Sequence, residues 1–317
     1  MAPSDSEKSR LDDAARAGWL YFIAGHTQDE IAKRLKVSRA TAQRLVSLCL
    51  SERLITFRLG HPIAACMDLA RRLIDRFELR SCEVVPFDPS SPTAVAGIAE
   101  RAASLLEATL RSEKPMIVAI GTGRAMRAAA EQVPPMDCPD HQLVSLVGNI
   151  STDGSATFFD TAARLADLTR ARHYPMPLPV LMSSEAERDQ MLKIGPVTRV
   201  RGIAARADLR LVGIGQMDKN AQFHVDGFIN REELLELMRL GAVGEVTGWA
   251  FDAAGRFIKG STNKRLTSVP HPAPATMLTV GAALGPAKVP AIFAALKSRL
   301  INGLITDEAT AKALLAR

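Results

Sequence analysis

The residues of this chain best suited to chemistry are three glycine-rich turns, one carboxylate and one lysine. Gly121-Thr122-Gly123-Arg124 follows the apolar run MIVAI directly and stands where a helical pattern begins. Glycines let backbone N–H groups approach an anion, and a helix start presents free N–H groups to it. Thr122 adds a hydroxyl there and Arg124 a charge. Gly148-Asn149 ends the run LVSLVGN, and Gly213-Ile214-Gly215 ends LRLVGIG. Taken singly, each glycine is also what a tight turn after a strand needs; three at one end of a sheet point to a binding site. Glu245, between glycines in GAVGEVTGWAFD, is a candidate acceptor for ligand hydroxyls. Lys288 follows Gly285-Pro286-Ala287 at a helix start, where its charge opposes the helix dipole. A ligand phosphate would rationalise it, and a surface lysine is the plainer alternative.

Other chemistries find less support. Met126 stands where the dinucleotide fingerprint G-x-G-x-x-G requires its third glycine, which argues against a redox cofactor. The cysteines Cys49, Cys66, Cys82 and Cys138 are isolated, with no C-x-x-C pair and no histidine at metal-ligand spacing. They read as buried reduced thiols in a reducing cytosol. No histidine pairs with a Ser or Cys in a catalytic motif; His224-Val225-Asp226 is at most suggestive, and Asp252-Ala-Ala-Gly255 reads as a hairpin turn. The expectation is therefore no catalytic residue, no metal and no cofactor.

A second kind of chemistry lies in the first sixty residues. Residues 12–24 place Ala15, Trp19, Leu20, Phe22 and Ile23 at helical spacing, ended by Gly25. Thr27 with Glu30 forms a capping box for a second helix. Lys36-Val37 makes a tight turn, although such turns usually carry glycine where Lys36 stands. Ser38 caps a third helix, on which Ala42, Leu45, Val46 and Cys49 point inward. TQDEIAKRLKVSRATAQRLVS thus follows the helix-turn-helix plan. Arg39, Thr41, Gln43 and Arg44 are left to read base edges in a major groove, while Lys33, Arg53 and Arg58 suit phosphates. Residues 54–59 alternate like a short strand and could form a wing.

Charge agrees with this division. Residues 31–58 hold seven basic residues against Glu52 alone, a net +6 equal to the formal charge of all 317 residues. A basic segment beside a neutral bulk is what a phosphate-binding module joined to a non-DNA domain shows. Composition is otherwise that of a globular protein, 47% hydrophobic and 23% charged. No apolar run approaches a membrane span, and the N-terminus lacks the pattern of a secretory signal.

Positioning these residues requires two domains. Residues 1–10 read as a disordered tail, 11–60 as an all-α, winged helix-turn-helix domain, and 61–317 as an effector-binding domain carrying the oligomerisation surface. An amphipathic helix at 63–77 suits a linker or dimerisation element. Beyond it, strands are expected at 83–86, 116–120, 143–147, 209–214, 246–251 and 277–280. Helices are expected at 94–112, 123–132, 158–171, 184–192, 230–239, 288–299 and 307–315. Short apolar strands alternating with helices predict a doubly wound parallel α/β domain with its ligand site at the strands' carboxyl ends.

On these motifs, together with the tail GPAKVPAIFAALKSRLINGLITDEATAKALL, the chain resembles the SorC family of sugar-responsive bacterial regulators from about residue 14 to 315. The resemblance implies a sensor similar to sugar-phosphate isomerase and deaminase folds, operator DNA as partner, homo-dimers or homo-tetramers, and no membrane association. The implied effector is a sugar, polyol or sugar phosphate. The family's phosphate loop falls on Gly121, Thr122 and Gly123, its second glycine loop on Gly148, its acidic residue on Glu245 and its lysine on Lys288. Family members that bind a bisphosphorylated sugar carry arginine where this chain has Val147. The leading reading is a cytoplasmic regulator of a carbohydrate or polyol operon. The alternative is a sugar-phosphate isomerase or deaminase with an accessory DNA-binding segment, which would need an acid/base pair the motifs do not supply.

Overall fold

The computed structural model describes residues 5–52, 54–55, 63–91, 93–150, 154–155 and 160–317. The chain divides into two compact units, Met1–His61 and Pro62–Arg317.

The smaller unit contains α1 (Asp5–Gly18), a π-helical turn (Trp19–Ile23), α2 (Gln28–Leu35) and α3 (Arg39–Ser51). Residues 5–10, expected as a tail, form the opening turns of α1. The first helix also buries a different face from the expected one. Ala14 and Ala17 are fully buried and Leu20 and Phe22 partly so, whereas Ala15, Trp19 and Ile23 are exposed. The change begins at Ala14 and Ala17, and the π turn then gives the aromatic run a wider spacing than the 3.6-residue period. Ile31, Ala32, Ala42 and Val46 complete this core. The expected strand at 54–59 lies outside the described residues from Thr56 onward, as do Arg53 and Arg58.

The larger unit begins with α4 (Ala64–Phe77), β1 (Ser81–Val85), α5 (Ala96–Leu110), β2 (Ile117–Ile120), α6 (Arg124–Ala130) and β3 (Gln142–Ile150). It continues with α7 (Thr161–Thr169), β4 (Arg172–Pro179), α8 (Glu185–Met191), α9 (Gly195–Ala205), β5 (Leu209–Gly213) and β6 (Gly215–Gln216). Next come α10 (Gln222–Val225), α11 (Arg231–Arg239), β7 (Ala242–Val246), β8 (Trp249–Asp252), α12 (Ser261–Arg265) and β9 (Leu278–Ala282). A 3-10 turn (Pro286–Lys288), α13 (Val289–Lys297), β10 (Gly303–Asp307) and α14 (Glu308–Leu315) close the chain.

Seven strands form one sheet in the order β1-β10-β9-β5-β2-β3-β4, every neighbouring pair parallel. Alternation along each strand feeds two cores. Val118, Ile120, Leu209 and Leu211 pack beneath α5, α6 and α7, while Ala119 and Val212 face α4, α9, α13 and α14. This is the expected doubly wound sheet, with differences in its strands. β4 was not expected, because RHYPMPLP carries three prolines; at the sheet edge their missing donors leave one side of the ladder unharmed. β10 hid between two helical patterns as a short, wholly buried run.

The strand expected at 246–251 is broken. Thr247 and Gly248 adopt φ of 51° and 86°, a hairpin turn joining β7 to β8, and Val246 pairs with Trp249 across it. With β6 these strands make a separate three-stranded antiparallel sheet.

Candidate functional site

From β2 the chain winds outward through β3 and β4, then returns to lay β5 on the other side of β2. Between β2 and β5, therefore, lies the switch point at which open α/β sheets leave a crevice beyond the strand ends. A cavity of about 600 Å³ opens there. Its floor is the ends of β2, β5 and β9, through Thr122, Gly213 and Ala282-Ala283.

Two similar turns carry the cations. Gly123 opens α6 with φ 115° and Gly285 opens the 3-10 turn with φ 104°. Arg124 and Lys288, each borne on one of these turns, both line the cavity. Burial pushes the Lys288 amine below its usual range, Glu245 opposes that push, and the Arg124 guanidinium adds to it. The two cations therefore stand close enough to repel, which an anion between them would relieve.

The small sheet supplies the carboxylate. Glu245 projects from β7, and the Gly248 N–H of the following turn donates to its Oε2 at 2.7 Å. Burial drives the Glu245 carboxyl above the ordinary carboxylate range; the Gly248 N–H and Lys288 hold it down, and Asp226 adds to the rise. Gly215 lies opposite Glu245 in the β6–β7 pairing, and a β-carbon there would fall 2.1 Å from Oε1. Glycine at 215 is thus a condition for the carboxylate's position.

Of the sequence candidates, Thr122, Gly123, Arg124, Gly213, Gly215, Glu245 and Lys288 line this cavity together. Gly121 lies beneath it, packed against Val212 and Thr247. Gly148 and Asn149 differ from the expected glycine loop. They are part of β3, and they line a small neighbouring recess together with Ser145 and Asp160. A β-carbon at Gly148 would sit 2.3 Å from the Leu178 carbonyl of β4, so strand packing explains this glycine. Val147, buried at 6% exposure, lines both spaces and presents only methyl groups. Sequence reasoning missed Gln216, Gln222, Phe223 and Thr247 as cavity-lining residues, and took Asp226 as no more than suggestive.

In the smaller unit Thr27 Oγ1 accepts from Glu30 N–H, and the Glu30 carboxylate accepts in turn from Thr27 N–H at 2.8 Å. Ser38 caps α3 by accepting from Thr41 N–H at 3.1 Å. Both hydroxyls are thus engaged in helix caps. Lys36 has φ 55°, the left-handed turn that glycine usually fills. Lys33, Arg39, Gln43 and Arg44 are exposed. Arg39 leans on Asp29 at 3.5 Å, and Arg44 reaches the Ala40 carbonyl at 3.3 Å and Thr41 Oγ1 at 3.5 Å. Among the described residues, no helix is long and apolar enough to cross a membrane.

Known proteins resemble this chain in sequence and fold. Residues 61–316 match the family model Sugar-bind, a sugar-binding domain. The chain is 34% identical over 304 residues to the erythritol catabolism regulatory protein EryD of Brucella abortus, covering 96% of each chain. It is 32% identical to the transcriptional regulator LsrR of Enterobacter sp. (strain 638), over 95% of this chain and 92% of that one. Its fold matches the full-length sorbitol operon regulator SorC of Klebsiella pneumoniae with a TM-score of 0.70 at 22% identity, covering 97% and 99% of the two chains. The family match and these relatives make the chain a transcriptional regulator whose larger unit is a sugar-binding domain. Within that class, the chain belongs to the SorC family.

Proposed function

We propose that this protein regulates a carbohydrate or polyol utilisation operon in the cytoplasm. On this reading α3 binds operator DNA and the cavity binds a small polyol, sugar or sugar phosphate carrying at most one phosphate. The observation that carries the reading is the gathering of Arg124 and Lys288, on their two glycine turns, and of Glu245 in the lining of one cavity. An anionic group suits the two cations and hydroxyls suit the carboxylate. The kinship with EryD favours a short polyol or its monophosphate. Val147 offers nothing to a second phosphate, and burying that charge unpaired is costly.

Binding rather than catalysis fits the carboxylate. Glu245 is tied to Gly248 N–H and faces Lys288, an arrangement suited to holding a hydroxylated ligand. Homo-dimers or homo-tetramers pair the DNA-binding units.

Calorimetric titration with erythritol and its phosphates tests the assignment. Thr122→Val should cost about 1 kcal/mol of monophosphate affinity and Lys288→Ala about 2 kcal/mol, with no turnover of any ligand. Both variants binding every ligand as the wild type does would remove the site from this cavity; turnover would return the enzyme reading.

A further inference from the structure

The cavity sorts its charges into two poles. Arg124 lies near enough to disfavour the charge on Lys288, and Asp226 near enough to disfavour the charge on Glu245. Like charge therefore gathers with like, with Lys288 and Glu245 meeting where the poles adjoin.

The carboxylate pole holds several acceptor oxygens. Gln216, on β6, donates through Nε2 to the Asn220 carbonyl at 3.5 Å. Its Oε1 is buried and has no hydrogen-bond partner, although the residue lines the cavity. A buried carbonyl oxygen left unpaired costs free energy, and a ligand donor that draws the amide toward the cavity would recover it. Gln222 Nε2 donates to Asp226 Oδ1 at 2.5 Å, which fixes that carboxylate at the rim and leaves its second oxygen to accept. Glu245 already receives one N–H, from Gly248. Gln216, Asp226 and Glu245 thus each offer an acceptor oxygen at this end of the cavity. Hydroxyl groups satisfy such a surface, and a phosphate, itself all acceptor and anionic, is repelled by it.

We propose that Gln216 and Asp226, the latter braced by Gln222, form the hydroxyl-reading pole of the cavity and determine effector specificity. They select a ligand whose far end is uncharged and hydroxylated, and they exclude one carrying a second phosphate there. This rests on the cavity being the effector site and adds the residues that discriminate among effectors. The repulsive element is Asp226, which complements the merely passive Val147.

Matched ligands on one carbon skeleton test it: erythritol, erythritol 4-phosphate and erythritol 1,4-bisphosphate, titrated calorimetrically into the full chain. The wild type is expected to bind the monophosphate at least about tenfold more tightly than the bisphosphate. Asp226→Asn and Gln216→Leu should each weaken the monophosphate by about tenfold, the loss of one strong hydrogen bond. Asp226→Lys should reverse the preference toward the bisphosphate, whereas Lys288→Ala should weaken both phosphates and leave erythritol little changed. If Lys288→Ala loses the phosphates while the Asp226 and Gln216 variants bind all three ligands as the wild type does, the effector site stands and the specificity pole is refuted. A wild type that prefers the bisphosphate refutes the exclusion. A wild type that binds none of the three removes the ligand class and this inference together.

Discussion

His271 shows how much of the site depends on a residue that never touches the cavity. Thr247, in the left-handed turn after Glu245, is held by a 2.8 Å hydrogen bond between its Oγ1 and His271 Nε2. His271 is 3% exposed, and the buried Arg210 guanidinium stands near it. Burial, aided by that cation, pulls the imidazole's pKa down to about 3, so the folded protein keeps it neutral. An unfolded histidine titrates near 6.5, so between these values the unfolded chain binds the extra proton. Stability is thus fully present above about pH 6.5 and falls as the pH drops toward 3, by at most about 1.4 kcal/mol per pH unit. His271→Asn should be less stable than wild type at neutral pH and lose less on acidification, so the two urea-denaturation curves converge. Parallel pH profiles would show that His271 titrates alike in the folded and unfolded states.

At the scale of elements, the helix-turn-helix and the two glycine turns each follow a local rule, and the small sheet does not. α2 and α3 are set by their caps and by the Lys36 turn, which leaves one face of α3 polar. Arg39 is engaged only by an exposed ion pair with Asp29, an interaction of small worth in water. Releasing it to a base edge therefore costs little. Arg39→Ala and Arg44→Ala should each weaken operator binding by about 1–3 kcal/mol if each contacts a base. Effector-induced stabilisation, read as a thermal shift, should be unaffected. Unchanged operator affinity in both variants would move DNA reading away from α3. The β7–β8 hairpin has a different origin. The largely apolar stretch 246–251 hides a turn whose two central residues both take positive φ, and Thr247 is tied there by its hydrogen bond to His271.

The whole molecule joins a DNA-binding module, whose basic residues are concentrated in residues 31–58, to a larger α/β unit. On the proposed operator reading, a single helix-turn-helix covers too little duplex for specificity, and paired half-sites call for at least two copies. The α/β unit is then the expected seat of that association. A fragment of residues 61–317 should therefore remain oligomeric in light scattering, still shift its melting point with effector, and fail to bind operator. A monomeric fragment at working concentration would place the interface in the first sixty residues.

What the sequence determined by itself is whatever short-range rules govern. The caps at Thr27 and Ser38, the glycine turns at 121–123 and 285, and the alternating strands all follow from neighbours within a few residues. So does the parallel α/β class, since apolar strands separated by helices can close only one kind of sheet. Tertiary structure decided the rest. Gly148 looked like a loop glycine until β4, disguised by its prolines, came within contact of it. Gly215 looked like a strand terminator, yet its missing side chain makes room for Glu245, thirty residues further along the chain. Gln216 carries no motif, and Asp226 only the suggestive His224-Val225-Asp226. They become a candidate site only because the chain leaves the main sheet at Ile214, forms a second small sheet, and folds α10 back over the strand ends. Such placement depends on contacts between residues far apart in the chain, and no local periodicity records them.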